Sequence, residues 1–152
     1  MSLRFICILS LNLLFCNAFA NCVDLVGTYS TCISSTEENS GRLANVVVTQ
    51  SNENGVSVYH ITSTDTEDDF INEENYIANG AMVKTDVKNF RYEVTANCSK
   101  ESLKYDENIY FNGSLFSKST SVVSKENGSL VMKVNGYFET AENSFDEVIT
   151  CK

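Results

Sequence analysis

Apolar and polar residues alternate with period two in three stretches of this chain, which places alternate side chains on one face of an extended strand. Phe90, Tyr92, Val94, Ala96 and Cys98 share a face opposite Arg91, Glu93, Thr95 and Asn97. Ile109, Phe111, Gly113 and Leu115 oppose Tyr110, Asn112 and Ser114, while Leu130, Met132, Val134, Gly136 and Phe138 oppose Lys133, Asn135 and Glu139. One dry side and one mostly wet side per strand is the pattern of antiparallel sheets. Turn residues bound the remaining strands. A strand over 25–33 groups Leu25, Gly27, Tyr29 and Ile33, and 43–50 and 56–62 flank the turn Asn52-Glu53-Asn54-Gly55 as a hairpin. Further strands are expected over 76–85, 119–125 (before Glu126-Asn127-Gly128) and 145–151. Asn112-Gly113 and Asn135-Gly136 read as bends inside strands, because each glycine falls on the apolar side of an alternation that continues past it.

These segments predict an all-β fold, a small antiparallel up-and-down barrel of about eight to ten strands, since closing a meander removes its exposed edges. A two-sheet β-sandwich is the alternative, because periodicity does not distinguish the two. Closure sets the first and last strands side by side. An even strand count then pairs Cys22 with Cys151 and Cys32 with Cys98, whereas an odd count pairs Cys32 with Cys151.

The N-terminus changes the picture of where the protein works. Arg4, an apolar run from Phe5 to Phe15, and the small-residue frame Ala18-Phe19-Ala20 make 1–20 a signal peptide cleaved before Asn21. Its apolar run is shorter than the ~20 residues of a spanning helix. A lipoprotein reading through Cys22 meets the bulk of Asn21. The remainder, 21–152, is expected to form a single β-barrel domain with no transmembrane segment. Of the six cysteines, Cys7 and Cys16 leave with the signal; the four that remain imply two bridges in an oxidising, secreted or periplasmic setting. A net charge of -9 disfavours nucleic acid and anionic lipid as partners.

Leu25-Val26-Gly27-Thr28-Tyr29 opens the first strand, and its Gly27-Thr28-Tyr29 resembles the N-terminal Gly-x-Trp signature of lipocalins and related calycin barrels. The resemblance implies a glycine that turns the chain at the barrel floor, an aromatic ring that closes that end, and a ligand held inside. Tyr stands for the family's Trp here, and the basic residue that packs over that ring near the last strand has no obvious counterpart before Lys152. Inside such a barrel, Phe90, Tyr92, Phe111, Met132 and Phe138 would line the interior, with Tyr29, Tyr92 and Tyr105 as polar anchors. Alternatively, these residues simply fill a solid core.

Candidate chemistry is sparse. His60 is the single histidine and alternates with Val56 and Val58, which would turn it toward a ligand. Alone it makes neither a triad nor a metal site, so no metal and no cofactor is expected. No Gly-x-Ser-x-Gly, phosphate loop or His-Glu-x-x-His occurs. Asp65, Glu67, Asp68, Asp69, Glu73 and Glu74 cluster between strands, but Phe70 and Tyr76 stand where a calcium loop needs Gly and Glu. That segment reads as a solvated loop or a short helix begun by Ser63 or Thr64. Asn97, Asn112 and Asn127 head glycosylation triplets. The expectation is a non-enzymatic exported protein resembling a minimal lipocalin, which binds a small apolar ligand. The competing class is an adhesin or inhibitor with a filled core and a protein partner.

Overall fold

A computed structural model describes residues 22–36, 43–65, 71–139 and 143–152, and the expected signal peptide lies outside them. The described residues form strands and no helix. A four-stranded antiparallel sheet has the order β1-β3-β4-β5: Gly27–Tyr29, Leu43–Glu53, Val56–Asp65 and Ile71–Ile77. A seven-stranded antiparallel sheet has the order β2-β11-β10-β9-β8-β7-β6. Its strands are β2 Cys32–Ser34, β6 Met82–Val87, β7 Phe90–Cys98, β8 Ser102–Phe111, β9 Ser114–Glu126, β10 Ser129–Phe138 and β11 Asn143–Cys151.

The strand expected over 25–33 is broken at Ser30-Thr31, where the chain passes from one sheet to the other. Ser30 N–H donates to Lys152 C=O at 2.8 Å and Lys152 N–H to Thr31 C=O at 3.0 Å. The strand expected over 76–85 also breaks. Gly80, at φ +75°, turns the chain, and its N–H reaches Ala96 C=O at 2.9 Å. Ser63 and Thr64 belong to β4 and Glu73 and Glu74 to β5, so neither end of the acidic segment starts a helix, while 66–70 lie outside the described residues.

Asn112-Gly113 is a hairpin turn, not an in-strand bend. Phe111 pairs with Ser114, and the two turn residues have φ of 50° and 83°, the left-handed pair that a two-residue loop between twisted strands requires. Gly136 does lie within β10, where it is buried. There it faces Phe145 across the β10–β11 ladder, and the ring occupies the space a Cβ would need.

Both sheets turn apolar faces to one core. Val46, Val48, Tyr59, Ile61 and Tyr76 come from the smaller sheet, and Ala96, Leu103, Tyr105, Val123 and Leu130 from the larger. The segment before β1 plugs one end with Val23 and Leu25. Its backbone is tied by Val23 N–H to Ser99 C=O at 2.7 Å, by the Tyr59 hydroxyl donating to Val23 C=O at 2.7 Å, and by the Tyr29 hydroxyl donating to Leu25 C=O at 2.9 Å. These bonds satisfy carbonyls that burial would otherwise leave unpaired, at a cost of about 1 to 3 kcal/mol each.

The bridges also differ from the even-count expectation: they join Cys22 to Cys98 and Cys32 to Cys151. Once past Thr31, the chain lies antiparallel to β11 with Cys32 directly opposite Cys151, Cα atoms 4.0 Å apart. Cys22, held against the end of β7 by the Val23–Ser99 bond, has Cys98 within reach, at a Cα separation of 5.1 Å. Four bridged cysteines fit an oxidising, non-cytosolic environment.

Candidate functional site

On the core-facing side of the larger sheet, the ladders stack side chains in tiers. Cys98 lies opposite Leu103, Ala96 opposite Tyr105, Val94 opposite Glu107, Tyr92 opposite Ile109 and Phe90 opposite Phe111. The lower tiers are dry. At the other end of the sheet a row of phenylalanine rings runs across β7, β8, β9, β10 and β11. Centroid separations are 4.9 Å for Phe111–Phe90, 6.3 Å for Phe90–Phe116, 6.0 Å for Phe116–Phe138 and 5.0 Å for Phe138–Phe145. Tyr92 adds a ring 6.3 Å from Phe90. All fall within the ~4.5 to 7 Å of favourable aromatic pairs. Phe111 is 40% and Phe138 36% exposed, while the other rings are half-buried, so the row presents apolar surface that the core does not consume.

Two of these rings escape the alternation pattern. The β8–β9 register slips between Ile109 and Tyr110, so β9 carries one extra residue there, and that bulge brings Phe116 into the row. The adjacent apolar pair Leu115-Phe116, which interrupts strict alternation, is the signal for it. Phe145 is marked indirectly: a glycine on the apolar side of β10 implies a large ring on a neighbouring strand, and the register supplies Phe145.

Between the rings and the dry core lies a polar tier. Glu107 on β8 and Glu147 on β11 face the same side as the rings, and Glu74 comes from β5 of the other sheet. The Tyr76 hydroxyl donates to the Glu74 carboxylate at 2.7 Å, and the Tyr76 ring stacks on Tyr105 at 4.1 Å. Burial, reinforced by the nearby Glu74 charge, raises the Glu107 carboxyl above the ordinary carboxylate range. Burial likewise raises both Tyr76 and Tyr105, so they remain neutral donors. Glu147 accepts a hydrogen bond from Ser34 Oγ. Among the described residues no group of three or more His, Cys, Asp or Glu is placed to hold a metal ion.

The structure therefore gathers Phe90, Tyr92, Phe111 and Phe138 of the expected ligand set and separates the rest. Met132 packs against the core below the rings. Tyr29 and Tyr105 are buried. His60 lies on the outer face of the smaller sheet, hydrogen-bonded to Asn75, because the residues of β4 that enter the core there are Tyr59 and Ile61. Two surface depressions lie elsewhere. One of about 540 Å³, at the turn end of β6–β8, touches the row at Phe90 and is otherwise lined mainly by polar residues, among them Asp86, Lys88, Arg91, Glu93 and Tyr110. The other, about 530 Å³, is lined by Val23, Lys100, Val122 and Lys125 at the plugged end.

Lys125 on β9 reaches that plugged end. Its ammonium is 6.0 Å from the centroid of the Tyr29 ring and donates to Val26 C=O at 3.1 Å. Comparison with protein-family models, with curated proteins and with solved structures returns no match to this chain.

Proposed function

We propose that this is an exported binding protein of lipocalin-like build, secreted or periplasmic, that holds a small apolar ligand against the row of rings. The observation that carries the reading is the row itself, Phe111–Phe90–Phe116–Phe138–Phe145, part-exposed on the core side of the larger sheet. A ligand that covers about 200 Å² of apolar surface there would gain about 5 kcal/mol before ordering costs. Two further features support a barrel over a sandwich. The chain from β1 to β2 serves both sheets as one bent strand, which joins the two sheets along that side. The Lys125–Tyr29 contact at the plugged end fits the arrangement the resemblance implies for a barrel floor. A protonatable Glu107 beneath the rings would offer a hydrogen bond to a polar group on the ligand.

Two measurements test the reading. Native mass spectrometry of protein taken from its own host is expected to reveal a co-purifying small molecule. Emission of N-phenyl-1-naphthylamine, an apolar fluorophore, is expected to rise on binding and to fall with Phe116→Ser or Phe138→Ser. No bound molecule together with probe binding untouched by both substitutions would refute it and leave the protein-binding class.

A further inference from the structure

We propose that β6 is a homodimerisation edge, and that two copies join their larger sheets by antiparallel pairing of Met82–Val87 about a two-fold axis at Thr85. Among the described residues β6 has β7 as its single ladder partner, so its other side carries backbone donors and acceptors that none of them pairs. Every residue of β6 is exposed, on both faces, with Met82 at 51%, Val83 at 38% and Val87 at 49%. Nothing among the described residues covers this edge, and it carries more apolar surface than a strand meant to stay solvated.

The side chains specify which strand fits. Lys84 and Asp86 lie on the outer face, where Lys84 pairs with Glu93 at 2.8 Å and Asp86 with Arg91 at 2.9 Å. A two-fold axis normal to the sheet keeps outer residues facing outer residues, so only even registers are open. Centred on Thr85, the register sets Lys84 of each copy opposite Asp86 of the other. The outer row then reads Glu93, Lys84, Asp86, Arg91 across the junction, alternating in sign, and two-fold symmetry repeats it. On the inner face Val83 meets Val87 of the second copy, which extends the apolar side that bears Phe90 and Tyr92. A slip of two residues one way puts Lys84 opposite Lys84; the other way puts Asp86 opposite Asp86. Like charges directly opposite are destabilising, so one register is selected by its neighbours' failure. This self-complementarity favours a second copy over an unrelated extended peptide.

The test uses the full disulfide-bonded protein in sedimentation equilibrium. Wild type is expected to dimerise reversibly, more weakly as salt rises. Lys84→Asp or Asp86→Lys alone reverses two symmetry-related pairs and should weaken the dimer about thirtyfold. Mixing the two variants is decisive. In the mixed pair one chain carries aspartate at both outer positions and the other carries lysine at both, so each cross-strand pair is again opposite in sign. A heterodimer should then form where neither variant self-associates. That recovery also proves that both variants are folded. A strictly monomeric wild type would overturn the proposal and leave the edge to a segment of another protein. A dimer indifferent to both reversals would overturn it in favour of another surface.

Discussion

Gly136 and Phe145 offer a sharp test of how the ring row is built. A methyl group at position 136 would enter the Phe145 ring and come within 3.0 Å of the Lys118 carbonyl oxygen. Phe145 can yield only by swinging away from Phe138, its neighbour at 5.0 Å, so Gly136→Ala forces either overpacking or loss of a ring pair. Overpacking costs about 1 to 3 kcal/mol. Against it, alanine in a strand interior is favoured over glycine by about 0.5 to 1 kcal/mol through the unfolded chain's entropy. The net for Gly136→Ala in the wild type is a loss of about 1 kcal/mol at mid-range and up to about 2.5 kcal/mol.

Removing the ring first should change the sign. In a Phe145→Ala background the methyl meets open space on that side, and the entropic gain, trimmed by the Lys118 contact, leaves Gly136→Ala neutral or stabilising by up to about 0.5 kcal/mol. The assay is urea unfolding of the oxidised protein, read by circular dichroism for all four members of the cycle. With a slope of about 2 kcal/mol per molar, a loss of about 1 kcal/mol appears as a midpoint shift of roughly 0.5 M. Equal destabilisation by Gly136→Ala in both backgrounds would refute the claim that Phe145 is what excludes a side chain there.

Two further expectations concern charge and chain entropy. Because burial, then Glu74, raises the Glu107 carboxyl, the folded state holds that proton more tightly than the unfolded one, and Glu107's contribution to stability declines as pH rises from the unfolded carboxylate range through the folded value. Glu107→Gln should therefore be more stable than wild type at neutral pH, with the gap closing at acid pH. A gap that does not vary with pH would contradict this. Replacing Cys32 and Cys151 by Ser opens a loop of sequence separation 119 and should cost about 4 to 5 kcal/mol, measured with Cys22–Cys98 intact. A loss under about 1 kcal/mol would show that β2 is held by its ladder alone.

Alternation makes the faces of β7 and β10 legible, and with them Phe90, Tyr92 and Phe138. It reports phase and says nothing about partners, so features set by register stay hidden. Phe116 enters the row through a bulge that changes phase in mid-hairpin, and Asn112-Gly113 resembles part of a strand because Leu115 continues the odd-numbered apolar alternation, although the two-residue turn inverts the phase and sets Leu115 opposite Tyr110. The inward reading of His60 fails because it follows the phase of Val56 and Val58, whereas Tyr59 and Ile61, one position out of phase, supply the core contacts. Spacing does not pair the bridges, since the Ser30-Thr31 crossing decides that Cys32 meets β11. Lys125 over Tyr29 joins positions far apart in the chain, a contact with no local trace.

A mismatch of widths connects the two proposed surfaces. Strands lie about 4.8 Å apart, so seven span roughly 29 Å and four only about 14 Å. The smaller sheet therefore covers only part of the larger, and curling of the wider sheet must handle the surplus. Near the plug the two sheets meet through Tyr76 on Tyr105, and the tier there is dry. Farther along the same strands no facing sheet among the described residues buries Phe111 or Phe138, and at the margin β6 is exposed on both faces. The proposed ligand and the proposed second copy would each cover apolar surface left exposed, the one at the rings and the other at the edge, and substitutions can remove either without touching the other.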